Sequence, residues 1–173
     1  MNDYAKYHCF GFIPKEERNS MIDFSNIKVS NKFYLLIAGS RGYNNYLEMC
    51  QVLDYLLKNQ ITQGRKIVIV SGGARGADAL AEKYADERGY DKHIMPADWN
   101  KYGRGAGYRR NEEMHSYIST PSDRKRGCVC FWDMKSSGTK HNFKLAYNYD
   151  TPMRVYDTVN HRFLSDVEVQ QHA

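Results

Sequence analysis

The chain has few cysteines, few prolines and no hydrophobic run long enough to cross a membrane. Its 173 residues include 4 Cys and 4 Pro, and the cysteines lack the spacing of a zinc site. The first residues, MNDYAKYHCFGFIPKEERN, contain no apolar core of the signal-peptide type. We therefore expect a cytoplasmic protein with reduced thiols, no bound metal and no membrane contact.

The charge is only mildly unbalanced. The chain has 25 Lys and Arg against 20 Asp and Glu, which leaves a net charge of +5. Basic residues concentrate in 101–110 and 124–126. Such a balance suits a nucleotide or nucleic-acid partner but decides nothing by itself, and nucleic-acid binding ordinarily needs a more strongly basic face.

The most informative stretch runs from Lys66 to Arg88. An apolar, β-branched segment, 66–70, predicts a buried strand, and a glycine-rich turn then leads into an amphipathic segment, 77–88. A strand, a glycine turn and a helix in this order point backbone N–H groups at one spot, where an anion such as phosphate is stabilised. An ordinary strand-to-helix connection is the alternative for this loop taken alone.

The same alternation recurs along the chain. Strand-like runs at 33–38, 92–97, 127–133 and 152–156 are separated by segments with helical periodicity. This order predicts an α/β fold, a Rossmann-like parallel sheet of about five strands with helices on both faces. We expect an N-terminal extension at 1–31, the Rossmann-like domain at 32–157 and a polar C-terminal tail at 158–173.

Four motifs follow four of the predicted strands, and together they resemble a known superfamily. They are GSR at 39–41, GGARGAD at 72–78, PADW with GRGAGYRRNEEM at 96–99 and 103–114, and SSGT at 136–139. The chain resembles the SLOG superfamily, and within it the small YspA-like, YpsA-related proteins, relatives of the Lonely Guy phosphoribohydrolases and of the DNA-processing protein DprA. The resemblance covers roughly 32–156 and implies a site for nucleotides or nucleotide-derived ligands.

The resemblance also implies which residues contact the ligand. These are Gly39, Ser40 and Arg41, then Gly72, Gly73, Arg75, Gly76 and Asp78, then Arg109, Arg110 and Asn111, and finally Gly138 and Thr139. The arginines, Thr139 and Asp78 have plainer alternatives, since a surface arginine commonly forms a salt bridge, Thr139 suits an N-cap and Asp78 is favoured in a first helical turn without any ligand.

Trp99 is a candidate on other grounds. It lies in a polar, glycine-rich loop together with Tyr102, where core packing does not explain a tryptophan. We interpret the two rings as a lid that stacks on a base, alongside the phosphate-binding loops.

One departure from the superfamily bears on catalysis. Phosphoribohydrolase members carry PGGxGTxxE, in which the glutamate assists cleavage of the glycosidic bond, whereas this chain has Asn142 at that position and lacks the glycine pair. An amide cannot act as a base or stabilise a positive sugar, so a relocated carboxylate would be needed. The candidates are Asp78, Glu112, Glu113 and Asp133, and of the two adjacent glutamates at most one faces the cleft.

Three functions remain open. The first is a nucleotide-binding sensor or sequestering module, the second is an enzyme that hydrolyses N-glycosidic bonds of nucleoside monophosphates, and the third is DprA-like nucleic-acid binding. No cofactor is predicted, because the first loop lacks the GxGxxG pattern of a dinucleotide site. A homodimer built through the aromatic N-terminal extension is left open.

Overall fold

The computed structural model describes residues 31–172, and the proposed N-terminal extension lies outside this range. The described residues fall within one compact unit, Asn31–Ala173. Its strands are β1 Lys32–Gly39, β2 Lys66–Ser71, β3 Asp91–Ile94, β4 Lys125–Trp132, β5 Met153–Asp157 and β6 Arg162–Phe163. Its helices are α1 Tyr46–Thr62, α2 Ala77–Arg88, α3 Trp99–Tyr102, α4 Ala106–Ser119, α5 Ser137–Asn148 and α6 Asp166–His172, with a 3₁₀ turn at Gly103–Gly105.

The strands form one sheet in the order β3-β2-β1-β4-β5-β6. The first five are parallel, and β6 pairs antiparallel with β5. The predicted Rossmann-like α/β fold is therefore confirmed, with one antiparallel strand added at the edge. The order reverses between β1 and β4, and in open parallel sheets ligands bind beyond the carboxyl ends of the strands at such a point.

Alternate residues of the central strands enter two separate cores. From β1, Leu35 and Ile37 pack with α1 and α2 on one face, whereas Leu36 and Ala38 pack with α4 and α5 on the other. This alternation follows from the two-residue period of a strand. Because both faces are covered by helices, the strands read as continuous apolar runs.

Residues 158–172 add regular structure to the edge of the sheet. They contribute β6 and α6, and Leu164 between them is buried in the core shared with α4 and α5. An ion pair from Arg162 to Glu168 at 2.6 Å joins the strand to the helix. Among the described helices, none is both long and apolar enough to span a bilayer.

Candidate functional site

A cavity of about 410 Å³ opens at the carboxyl ends of the parallel strands. Loops after β1, β2, β3 and β4 all contribute to its wall. The predicted ligand residues that line it are Gly39, Arg41, Asp78, Trp99, Arg110, Asn111, Gly138 and Thr139. The predicted residues outside its lining are Ser40, Gly72, Gly73, Arg75, Gly76 and Arg109.

Several residues outside the lining hold the loops together. The hydroxyl oxygen of buried Ser40 accepts a hydrogen bond from the N–H of Asp133 at 3.1 Å, which ties the β1 loop to the β4 loop. Gly76 has a φ of +79°, and a Cβ there would lie 2.5 Å from the Ser40 carbonyl oxygen. Gly39 is equally confined, because a Cβ would lie 2.5 Å from that of Ala77. These glycines let α2 start close against β1.

Of the other four residues outside the lining, Gly72 is buried beneath the cavity floor and three lie at the surface or on another face. Gly73 and Arg75 are exposed in the β2–α2 loop. Arg109 forms an exposed ion pair with Glu113 at 3.0 Å, one helical turn away, and its guanidinium lies 4.3 Å from the centre of the Tyr102 ring. The geometry therefore favours a surface salt bridge for Arg109 over contact with a ligand.

A buried ion pair forms the floor of the cavity on the β2 side. Arg110 reaches Asp78 at 3.4 Å and donates to the carbonyl oxygen of Gly72, while the N–H of Ala74 donates to the same carboxylate at 3.2 Å. Burial raises the pKa of Asp78 to about 6, and the charge of Arg110 and the Ala74 N–H only partly oppose it. Burial also lowers the pKa of Arg110.

The N-terminus of α5 faces the opposite wall. Ser136 is its N-cap and accepts from the N–H of Thr139 at 3.4 Å. Within residues 31–172, the first-turn N–H groups of Ser137 and Gly138 have no acceptor. Gly138 has open space where a Cβ would stand. Its carbonyl oxygen accepts from the side-chain amides of Asn111 and Asn142 at 3.1 and 3.2 Å. These bonds fix the helix start against α4.

Asp133 leads into this helix and lines the cavity. One of its carboxylate oxygens, Oδ1, accepts from the N–H groups of Ser136 at 2.7 Å and Lys135 at 3.1 Å. Burial opposes ionisation of this carboxyl, but these donors and the Ser40 hydroxyl outweigh it and lower the pKa. Asp133 is therefore a carboxylate at neutral pH.

The mouth of the cavity is basic and aromatic. Trp99, 49% exposed, lies 5.4 Å from the guanidinium of Arg41. Tyr108 crosses from α4 to α5, where its hydroxyl donates to the Ser137 hydroxyl at 3.3 Å. Exposed Arg104 completes this side. The mouth therefore offers cations and π-faces together.

Two of the four carboxylate candidates reach the cavity. Asp78 and Asp133 line it, whereas Glu112 and Glu113 are exposed in a separate depression on α4. Asp133, Ser136, Arg104 and Tyr108 were not among the residues predicted to bind a ligand. Asp133 and Ser136 could have been found by their position just after β4. The rule that ligand residues follow the ends of parallel strands had selected Ser40 after β1 in the same way. Within 31–172, no group of three or more His, Cys, Asp or Glu side chains is arranged for a metal ion.

Comparison with known proteins identifies the family. Residues 33–102 match the model of the YAcAr family, described as the YspA, cpYpsA-related SLOG family. The Gene 61 protein of Mycobacterium phage D29 is 32% identical over 124 residues, which are 69% of this chain and 92% of the phage protein. This chain belongs to the YAcAr family of SLOG proteins.

A solved structure is also similar. It is the DNA processing protein A of Helicobacter pylori, studied for its binding of single-stranded DNA, with 21% identity over 82% of this chain and 74% of that one and a TM-score of 0.46. A similarity of this size says nothing about the ligand of this chain. Family membership supports nucleotide or nucleic-acid binding in general.

Proposed function

We propose that this protein binds a nucleotide or nucleotide-derived ligand in the cavity and acts as a sensor or sequestering module. The observation that carries the proposal is the arrangement around α5. Its first turn presents free N–H groups at Ser137 and Gly138 to a cavity whose mouth holds Arg41 and Arg104. Backbone donors, the helix dipole and arginine together favour a phosphate group.

The size and the mouth of the cavity suit the rest of a nucleotide. Its volume of about 410 Å³ lies within the range of small-molecule sites. Trp99 stands at the entrance with half of its surface exposed, where its ring is free to stack on a base. The phosphate would then lie at α5 and the base toward Trp99.

Binding without turnover is favoured by Asn142. It occupies the position at which phosphoribohydrolase relatives carry a glutamate, and its amide donates to the Gly138 carbonyl oxygen. An amide in this place does not ionise and cannot take up a proton from water. The residue therefore braces the helix start and supplies no base.

Calorimetric titration with nucleoside mono- and diphosphates tests the proposal. Gly138→Asp should abolish binding, because a carboxylate would stand where the phosphate is expected while remaining compatible with a helix N-terminus. Asn148→Asp adds the same charge at the exposed far end of α5 and should leave binding unchanged. Equal affinity in wild type and Gly138→Asp, or no binding by any nucleotide, would refute the proposal.

A second candidate, hydrolysis of the N-glycosidic bond, rests on Asp78. Its pKa of about 6 lies near working pH, which suits an acid–base group. Incubation with nucleoside monophosphates followed by chromatography of free base tests it, with Asp78→Asn as the inactive control. Absence of free base after saturation of the protein would exclude this activity.

Nucleic-acid binding is a third candidate, favoured by the mouth of the cavity. The pairing of Trp99 with Arg41 resembles the aromatic and cationic surfaces on which single strands stack. Binding of a fluorescent oligonucleotide that weakens steeply with salt would support it, because each phosphate contact releases counterions. Binding that is indifferent to salt would exclude it.

A further inference from the structure

Asp133 has a carboxylate oxygen that no N–H group within residues 31–172 reaches. Oδ1 accepts from two backbone N–H groups, and the Ser40 hydroxyl, which helps to lower the pKa of this carboxyl, accepts from the main-chain N–H of the same residue. Within the same range, no N–H group donates to Oδ2, and no Lys, Arg or His nitrogen forms an ion pair with the carboxylate. The group is thus fixed in orientation, ionised and left with spare acceptor capacity beside the cavity.

The chain contains an internal reference for this arrangement. Asp157 ends the neighbouring strand β5 and forms the same kind of turn, with Oδ1 accepting from the N–H groups of Val159 at 2.9 Å and Asn160 at 3.1 Å. There the second oxygen is also used, because Oδ2 accepts from the Asn160 side chain at 2.7 Å. Asp157 lies outside the cavity lining. Of these two turns, the one at Asp133 borders the cavity and has a carboxylate oxygen that accepts from no N–H group within residues 31–172.

The neighbourhood restricts what that oxygen can accept. An anionic phosphate is repelled by a carboxylate, so the group that meets Oδ2 must be a donor, while the phosphate lies at the α5 N–H groups. Nucleotides carry such donors, neutral hydroxyls, on the sugar between phosphate and base. A sugar hydroxyl at Asp133 is compatible with the phosphate at α5 and the base at Trp99.

We propose that Asp133 is a specificity-determining residue that accepts a hydrogen bond from the 2′- or 3′-hydroxyl of the sugar and makes the cavity selective for nucleotides that carry that hydroxyl. This inference rests on the proposed function. A hydrogen bond to a charged group contributes about 1.5–3 kcal/mol, so loss of the hydroxyl weakens binding roughly 10- to 100-fold.

Calorimetric titrations with three nucleotides that share one base and differ in the sugar test the inference. The ligands are the ribonucleoside 5′-monophosphate and its 2′-deoxy and 3′-deoxy analogues, each measured with wild type, Asp133→Asn and Asp157→Asn. Wild type should bind at least one deoxy analogue about 10-fold or more weakly than the ribonucleotide. Asp133→Asn should weaken this preference markedly, because the amide N–H₂ that replaces Oδ2 cannot accept from the hydroxyl and can only donate to its oxygen through a neutral hydrogen bond. The variant should bind the deoxy analogue no more weakly than wild type does. Asp157→Asn should keep the preference.

The outcomes separate the inference from the function on which it rests. Equal binding of all three ligands by wild type overturns the role of Asp133 and leaves nucleotide binding intact. Binding of none overturns both. Each titration is repeated with Mg²⁺ and with EDTA, since a preference that needs Mg²⁺ would mean that Asp133 holds a cation, which also overturns the inference. The wild-type comparison keeps the inference falsifiable even if Asp133→Asn fails to fold.

Discussion

The buried pair of Asp78 and Arg110 makes a prediction about stability that depends on pH. Arg110→Met removes the guanidinium and keeps most of the side-chain volume. The two side chains are only 5% and 11% exposed, so the carboxylate would be left without its cation in a desolvated place. Removal of one partner of a buried pair typically costs about 3–5 kcal/mol.

The raised pKa of Asp78 determines how the free energy of unfolding changes with pH. Asp78 has a pKa of about 6 in the folded chain against an ordinary value of 3.8, so the folded state holds the proton more tightly than the unfolded chain does. In wild type this group lowers the free energy of unfolding by about 3 kcal/mol in all as the pH rises through both pKa values, about 2 kcal/mol of it between pH 4 and 6, and the loss is complete near pH 7. Without Arg110 the pKa of Asp78 rises further, and the variant should keep losing stability between pH 6 and 8.

Urea unfolding at pH 5, 6, 7 and 8 measures the effect. The deficit of Arg110→Met relative to wild type should be smallest at pH 5, about 1–3 kcal/mol for the hydrogen bond lost by Gly72, and should grow toward pH 8. Arg109→Met is the matched control, since its exposed pair with Glu113 predicts a change of less than about 1 kcal/mol at every pH. A deficit that is the same at pH 5 and pH 8 would refute the assigned burial of the Asp78 charge.

Three further changes have defined outcomes. Gly76→Ala should lower the free energy of unfolding in urea by about 2 kcal/mol or more, because of the positive φ and the contact with the Ser40 carbonyl oxygen; a loss below about 0.5 kcal/mol would contradict this. Ser136→Ala should cost about 1 kcal/mol in the same assay through loss of the α5 cap, and an unchanged midpoint would show that the cap is not needed. Trp99→Ala should weaken nucleotide binding about 10-fold in calorimetry, and unchanged affinity would remove its stacking role.

Much of the fold could be predicted because its strands are buried on both faces. Runs such as Phe33–Ala38 and Ile67–Val70 are continuous and apolar, and a glycine turn follows each of them. The end of the chain could not be predicted in the same way. Strand β6 has two residues and α6 has seven, too few to show a period, and the packing of Leu164 rather than local pattern places them.

The sequence predicted which loops contribute to the cavity, but not which side-chain contacts form there. The rule that ligands lie after parallel strands brought Arg41, Asp78 and Thr139 to one cavity. Because adjacent helix residues differ by about 100° in direction, at most one of Arg109 and Arg110 could face the cavity. The sequence could not tell that Arg110 turns inward to Asp78 while Arg109 turns outward to Glu113. Nor could it tell that Asp133 would keep one oxygen free, since that depends on which N–H groups the following turn supplies.

In the glycine-rich loop after β2, polar groups that could meet an anion are already engaged within the protein. Helix α2 begins with its own carboxylate, Asp78, which accepts the Ala74 N–H and is neutralised by Arg110. Gly72 supplies its carbonyl oxygen to that same arginine, so the Gly72 carbonyl and the Ala74 N–H are both engaged within the protein. An anion would have to displace a buried ion pair to reach the start of α2, whereas the N–H groups of Ser137 and Gly138 at α5 have no acceptor within residues 31–172. This difference is the electrostatic reason for proposing the phosphate site at α5 rather than at the β2 loop.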